Sequence, residues 1–171
     1  MVEADATVTS ARSSRLEALY SDHARGAIRL AFLMTGDQQQ AQDIAQEAFV
    51  RIAGRFADLR DPDALPGYLR ATVLNLSRGY LRRLRTQRAY LKRTPRGEPT
   101  VPQDDAGGRD EMWRALQRLP HRQRAALVLR YYEDLSERQT GEALGCSVSA
   151  VKSLVSRGLE TLRAEVKGDA R

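Results

Sequence analysis

The sequence predicts an all-α protein, with two small helical domains joined by a flexible linker and a helix-turn-helix in the C-terminal one. Three observations carry this. Apolar residues recur at three- and four-residue steps along most of the 171 residues, and no stretch shows the two-residue alternation of a strand. Residues 94–110 hold Pro95, Gly97, Pro99, Pro102, Gly107 and Gly108 and lack an apolar period, which is the composition of a tether. Leu135–Leu162 reads as two short helical patterns meeting at Gly145 and Cys146. The expected division is 11–91, a linker over 92–109, and 110–167.

Residues 1–12 are polar without a period and are expected to fray. Ser13 or Ser14 can cap a first helix, on which Leu16, Leu19, Tyr20, His23, Ala27, Leu30, Ala31 and Met34 form one stripe; Gly36–Asp37 ends it. A second helix is expected over 38–56, burying Ala41, Ile44, Ala45, Ala48, Phe49, Ile52 and Phe56. Pro62 and Pro66 preclude continuous helix in the charged loop that follows. A third helix is expected over 67–90, with Tyr68, Leu69, Thr72, Val73, Leu76, Tyr80 and Leu84 on its apolar side. Arg78, Arg82, Arg83, Arg85 and Arg88 crowd its other faces, and no carboxylate lies between Tyr68 and Leu91. Such unbalanced charge calls for a counter-anion, and phosphate is the natural one.

Beyond the linker, Met112, Trp113, Leu116 and Leu119 mark a short helix stopped by Pro120, with Trp113 as a core anchor. Another helix is expected over 121–132. Ser136 and Gln139 then form a capping box, and Gly145 supplies the left-handed residue that closes the first helix of the motif. Ser147 or Ser149 caps the second. That helix places Val148, Val151, Leu154, Val155, Leu159 and Leu162 on one face and Ser149, Lys152, Ser153, Ser156 and Arg157 on the other. Gly141 lets the two helices cross closely, and the second should lead into a major groove with its N-terminal residues. Thr140 is polar where the motif usually carries an aliphatic residue.

A net charge of +6 and a pI near 9.9 point to a polyanionic partner, most economically nucleic acid. No apolar run reaches the ~18 residues of a spanning helix, and the polar N-terminus has no signal-peptide pattern. A cytoplasmic location is expected. The single Cys146 excludes an internal disulfide and any multi-cysteine zinc site. His23 and His121 are far apart and neither has a nearby carboxylate-histidine cluster, so no metal and no cofactor is expected. No phosphate loop or nucleophile elbow is present, which argues against an enzyme.

Three blocks in this order resemble the extracytoplasmic-function (group 4) sigma factors of the bacterial sigma-70 family, over about residues 16–166. They are Asp43-Ile44-Ala45-Gln46-Glu47-Ala48-Phe49; Gly67-Tyr68-Leu69-Arg70 through Asn75 to Arg82-Arg83; and Leu119-Pro120-His121-Arg122-Gln123-Arg124 followed by Leu135-Ser136, Gly145 and Val151-Lys152-Ser153. The resemblance implies a promoter-recognition subunit without catalysis, and as partners core RNA polymerase, promoter DNA and an anti-sigma factor. It assigns Asp43, Gln46, Glu47 and Phe49 to core polymerase. It assigns Leu59, Arg60, Asp61, Asp63, Tyr68, Arg70, Asn75, Arg78, Arg82 and Arg83 to the minus-10 element, with Leu59, Arg60 and Asn75 receiving a flipped base. It assigns Arg124, Ser147, Ser149, Lys152, Ser153, Ser156 and Arg157 to the minus-35 element. The chain departs from the family pattern at Tyr68 (usually Trp), Gly79 (often Asp) and Gly158 (often Ala), the last at a propensity cost of about 1 kcal/mol.

Two other functions fit parts of the sequence. A conventional helix-turn-helix regulator with an N-terminal sensor or dimerisation domain would not need the arginines between 78 and 88. A nuclease would need paired metal-binding carboxylates, and Asp61 and Asp63 lack a supporting His or Glu.

Overall fold

The structure, a computed structural model, describes residues 2–55, 64–93 and 109–169. Seven α-helices follow in order: α1 (Val2–Thr35), α2 (Gln38–Arg55), α3 (Leu65–Arg93), α4 (Arg109–Arg118), α5 (His121–Leu127), α6 (Glu137–Leu144) and α7 (Val148–Asp169). α5 runs on into a π-helical turn, Val128–Tyr132. The described residues contain no strand. Residues 94–108, most of the expected linker, lie outside the described residues, as does Phe56.

α1 begins at Val2, not at Ser13 or Ser14. No Pro lies between residues 2 and 35, and Gly26 is the one Gly there, a propensity cost of about 1 kcal/mol that leaves α1 continuous as far as Gly36. There Gly36 turns left-handed, and the Asp37 carboxylate accepts from the Gln40 amide at 3.0 Å to start α2. α3 starts two residues earlier than expected. Pro66 sits in its first turn, where a missing N–H costs no hydrogen bond. Gly79 leaves α3 unbroken.

α1, α2 and α3 pack on one another through Ala27, Leu30, Ala31 and Met34, then Ala41, Ile44, Ala45, Ala48, Phe49 and Ile52, then Leu65, Leu69 and Val73. α4–α7 form a second group around Val151, Ala126 and Leu127. Gly158 is buried in it. A Cβ there would lie 3.1 Å from the Leu127 side chain, so the glycine permits close packing of α5 on α7. The two groups also touch: α3 meets α6, and α1 meets α4 and α5. Ala125, Val128, Leu129 and Leu135 join the same buried cluster as the first three helices. Leu74, which the α3 stripe left out, is 3% exposed because α3 is covered on two sides.

Candidate polymerase and nucleic-acid interfaces

Three surfaces emerge. The first is the outer face of α2. Asp43, Gln46 and Glu47 are exposed there, and Glu47 pairs with Arg51 one turn on. Val50, 63% exposed, stands on the same face. It is the residue that sequence reasoning missed, although the 43–47–50 spacing placed it. Phe49 departs from its expected role. Only 7% exposed, it belongs to the core, with its ring centroid 4.9 Å from that of Tyr20. A partner docking on α2 does not reach it.

The second surface is α3. Asn75, Arg78, Arg82 and Arg83 are exposed along it, and Tyr68 is half-buried against the core. Among the described residues, no carboxylate pairs with Arg78, Arg82, Arg83, Arg85 or Arg88. Arg70 is different: its Nε lies 3.3 Å from Glu133, with both side chains only about a fifth exposed. Leu59, Arg60, Asp61 and Asp63 lie outside the described residues. Between α3, the start of α5 and the end of α6 is a gap of about 360 Å³, lined by Asn75, Arg78, His121, Arg122 and Glu142 among others. The His121 imidazole is pushed down to about 4, first by burial and then by Arg124, Arg78, Arg85 and Arg122.

The third surface is the helix-turn-helix. The expected capping box is present: Ser136 Oγ accepts from the Gln139 amide at 3.2 Å, and the Ser136 amide donates to Gln139 Oε1 at 2.9 Å. Gly145 is left-handed, and a Cβ on Gly141 would come within 2.7 Å of the Cys146 carbonyl. Thr140 and Val151 are fully buried at the crossing, and the Thr140 hydroxyl has no hydrogen-bond partner among the described residues. Ser147 caps α7, accepting from the Ala150 amide at 3.2 Å. Ser149, Lys152, Ser153, Ser156 and Arg157 are all exposed on α7, while Val148, expected on its apolar face, is 39% exposed. Lys152 lies 3.6 Å from Glu137 on α6.

Arg124, assigned by resemblance to DNA, is turned inward. It is 4% exposed and donates to the carbonyls of Met34, Gln117 and Leu119 and to Gln117 Oε1. In this arrangement it cannot touch DNA.

The sigma-70 region 2 profile matches residues 19–87, and the sigma-70 region 4 profile matches 109–162. The RNA polymerase sigma-E factor of Streptomyces coelicolor is 32% identical over 143 residues, covering 81% of this chain and 78% of that protein. The chain belongs to the extracytoplasmic-function sigma factors. It is accordingly an RNA polymerase sigma factor. The ECF RNA polymerase sigma factor SigE of Mycolicibacterium smegmatis is 31% identical over 93% of this chain, which spans 64% of that relative's length. Two solved structures share the fold. Sigma factor RpoE in complex with the anti-sigma factor NepR from Bartonella quintana has a TM-score of 0.68 at 17% identity, covering 88% of this chain and 96% of that one. CnrH in complex with the cytosolic domain of CnrY has a TM-score of 0.67 at 23% identity, covering 90% and 88%. No described helix is long and apolar enough to cross a membrane.

Proposed function

We propose that this sigma factor divides its work among the three surfaces. The outer face of α2, with Asp43, Gln46, Glu47 and Val50, docks on core RNA polymerase. α3 follows the minus-10 strand with Asn75, Arg78, Arg82 and Arg83, its arginines holding phosphates. α7 enters the major groove at the minus-35 element, where Ser149, Lys152, Ser153, Ser156 and Arg157 face base edges and backbone. The polymerase supplies the chemistry, and this chain contributes recognition alone, in the cytoplasm. An anti-sigma factor is a further partner, in keeping with the complexes in which the two fold relatives were seen.

One observation carries this reading: among the described residues five arginines of α3 lack a carboxylate partner, in a chain whose C-terminal half presents a capped recognition helix. The docking assignment is tested by Glu47→Arg. The residue is exposed, so replacement should change stability by less than about 0.5 kcal/mol. Charge reversal at the interface should abolish co-elution with core polymerase and run-off transcription from a promoter library. A variant that melts normally and still co-elutes would remove this face from the docking surface.

A further inference from the structure

The gap beside α3 has two unlike walls. Arg78 from α3 and Arg122 from α5 line one of them, with the Asn75 amide beside them. Both arginines are exposed, and among the described residues no carboxylate pairs with either. The other wall is the end of α6, with Glu142 and Leu144. A helix end of this kind carries a partial negative charge. Glu142 is held only by Arg138, 3.9 Å away with both side chains mostly exposed, a pairing that a ligand displaces at little cost. Ala71 and Leu74 supply apolar lining between the two walls.

His121 reports the charge of the first wall. Burial lowers its pKa, and the guanidiniums of Arg124, Arg78, Arg85 and Arg122 lower it further, to about 4. Both ring nitrogens are shielded from solvent and have no hydrogen-bond partner among the described residues. The imidazole is therefore a neutral part of the wall, and Arg78 and Arg122 are the groups that an anion meets. The volume, about 360 Å³, lies within the roughly 300–1,000 Å³ of small-molecule sites and exceeds what a lone phosphate fills. A cationic wall facing an acceptor wall suits a ligand with an anion at one end and N–H donors at the other.

We propose that this cavity is a nucleotide site: Arg78 and Arg122 hold the phosphates, Ala71 and Leu74 pack on the base, and Glu142 accepts from the ring N–H and amino group that guanine presents side by side. A bound nucleotide withdraws Arg78 from the minus-10 strand, and that consequence alone rests on the function proposed above.

The test adds GDP to the full chain, without DNA or polymerase, so that it fails or succeeds independently of promoter reading. Binding is followed by calorimetry and by the imidazole resonances, with His121→Gln identifying the one that belongs to His121. GDP should raise the His121 midpoint from about 4 towards 6.5, since a neighbouring anion favours the charged ring. Arg122→Gln should weaken GDP about tenfold, the scale of a lost charge-assisted contact, whereas Arg88→Gln on the same basic helix should not. Glu142→Gln should weaken GDP more than ADP and leave inorganic phosphate unaffected. All three side chains are exposed, so melting should be unchanged. Inorganic phosphate binding as tightly as GDP would overturn the nucleotide site. Equal weakening by Arg122→Gln and Arg88→Gln would also overturn it, because it marks diffuse charge. So would a His121 shift produced by a short single strand of DNA and not by GDP.

Discussion

α3 and α7 are both helices with a basic or polar outer face, yet they differ in what their cations touch. On α7, Lys152 meets Glu137 across solvent at 3.6 Å, and Arg157 is exposed. Exposed pairs contribute about 0–1 kcal/mol, so DNA can displace Glu137 at little cost. On α3, Arg70 pairs with a carboxylate from the other half, and both are largely shielded. Arg124 is enclosed further still, 4% exposed. The same residue type is an exposed, proposed reader in one place and a fastener in the other, and solvent access decides which.

The largest expected effect is at the fastener. Arg124→Ala should lower stability by about 2–4 kcal/mol, because it strands buried carbonyls at Met34 and Leu119 and leaves a void. Denaturant unfolding measures it, and a loss below 0.5 kcal/mol would place Arg124 with the exposed arginines. Arg157→Ala reverses the pattern. Stability should hold within about 0.5 kcal/mol. Binding to minus-35 duplex should fall by about 1–3 kcal/mol with relaxed preference at one position if it reads a base. If it holds only a phosphate, affinity should fall equally on all sequences and the salt slope by about one.

Acid should act on the fastened side. The folded His121 titrates near 4, below its ordinary 6.5, because burial and the guanidiniums of Arg124, Arg78, Arg85 and Arg122 oppose its charge. Between those values the unfolded chain binds the proton and the folded chain does not. Stability is therefore intact above pH 6.5 and declines as pH falls towards 4. The full shift corresponds to about 3 kcal/mol, and water access to the half-buried ring reduces this to ~1–2 kcal/mol. Melting curves across this range should show the decline, and His121→Gln should flatten it. The smallest effect is expected for Glu137→Gln, which removes the α7 surface pair and should change stability by less than about 0.5 kcal/mol.

The sequence by itself determined the helices, the turns and the character of the outer faces. The Ser136–Gln139 capping box, Gly145 and Gly36–Asp37 all involve residues within a few positions of one another. Such local geometry repeats wherever the spacing does. The extension of α1 to Val2 escaped because helix continuation there depends on the absence of breakers and not on a stripe. Tertiary structure alone decided which polar or aromatic residues turn inward. Arg124 and Arg157 look alike along the chain, but one meets the end of α1 from 90 residues away and the other meets water. Phe49 is packed beneath Tyr20, Leu74 is covered by the second half, and Glu133 reaches Arg70. Each of these pairings joins segments distant in sequence. Only the packed chain, by excluding water from one arginine and leaving it around another, separates the residue that fastens from the residue proposed to read.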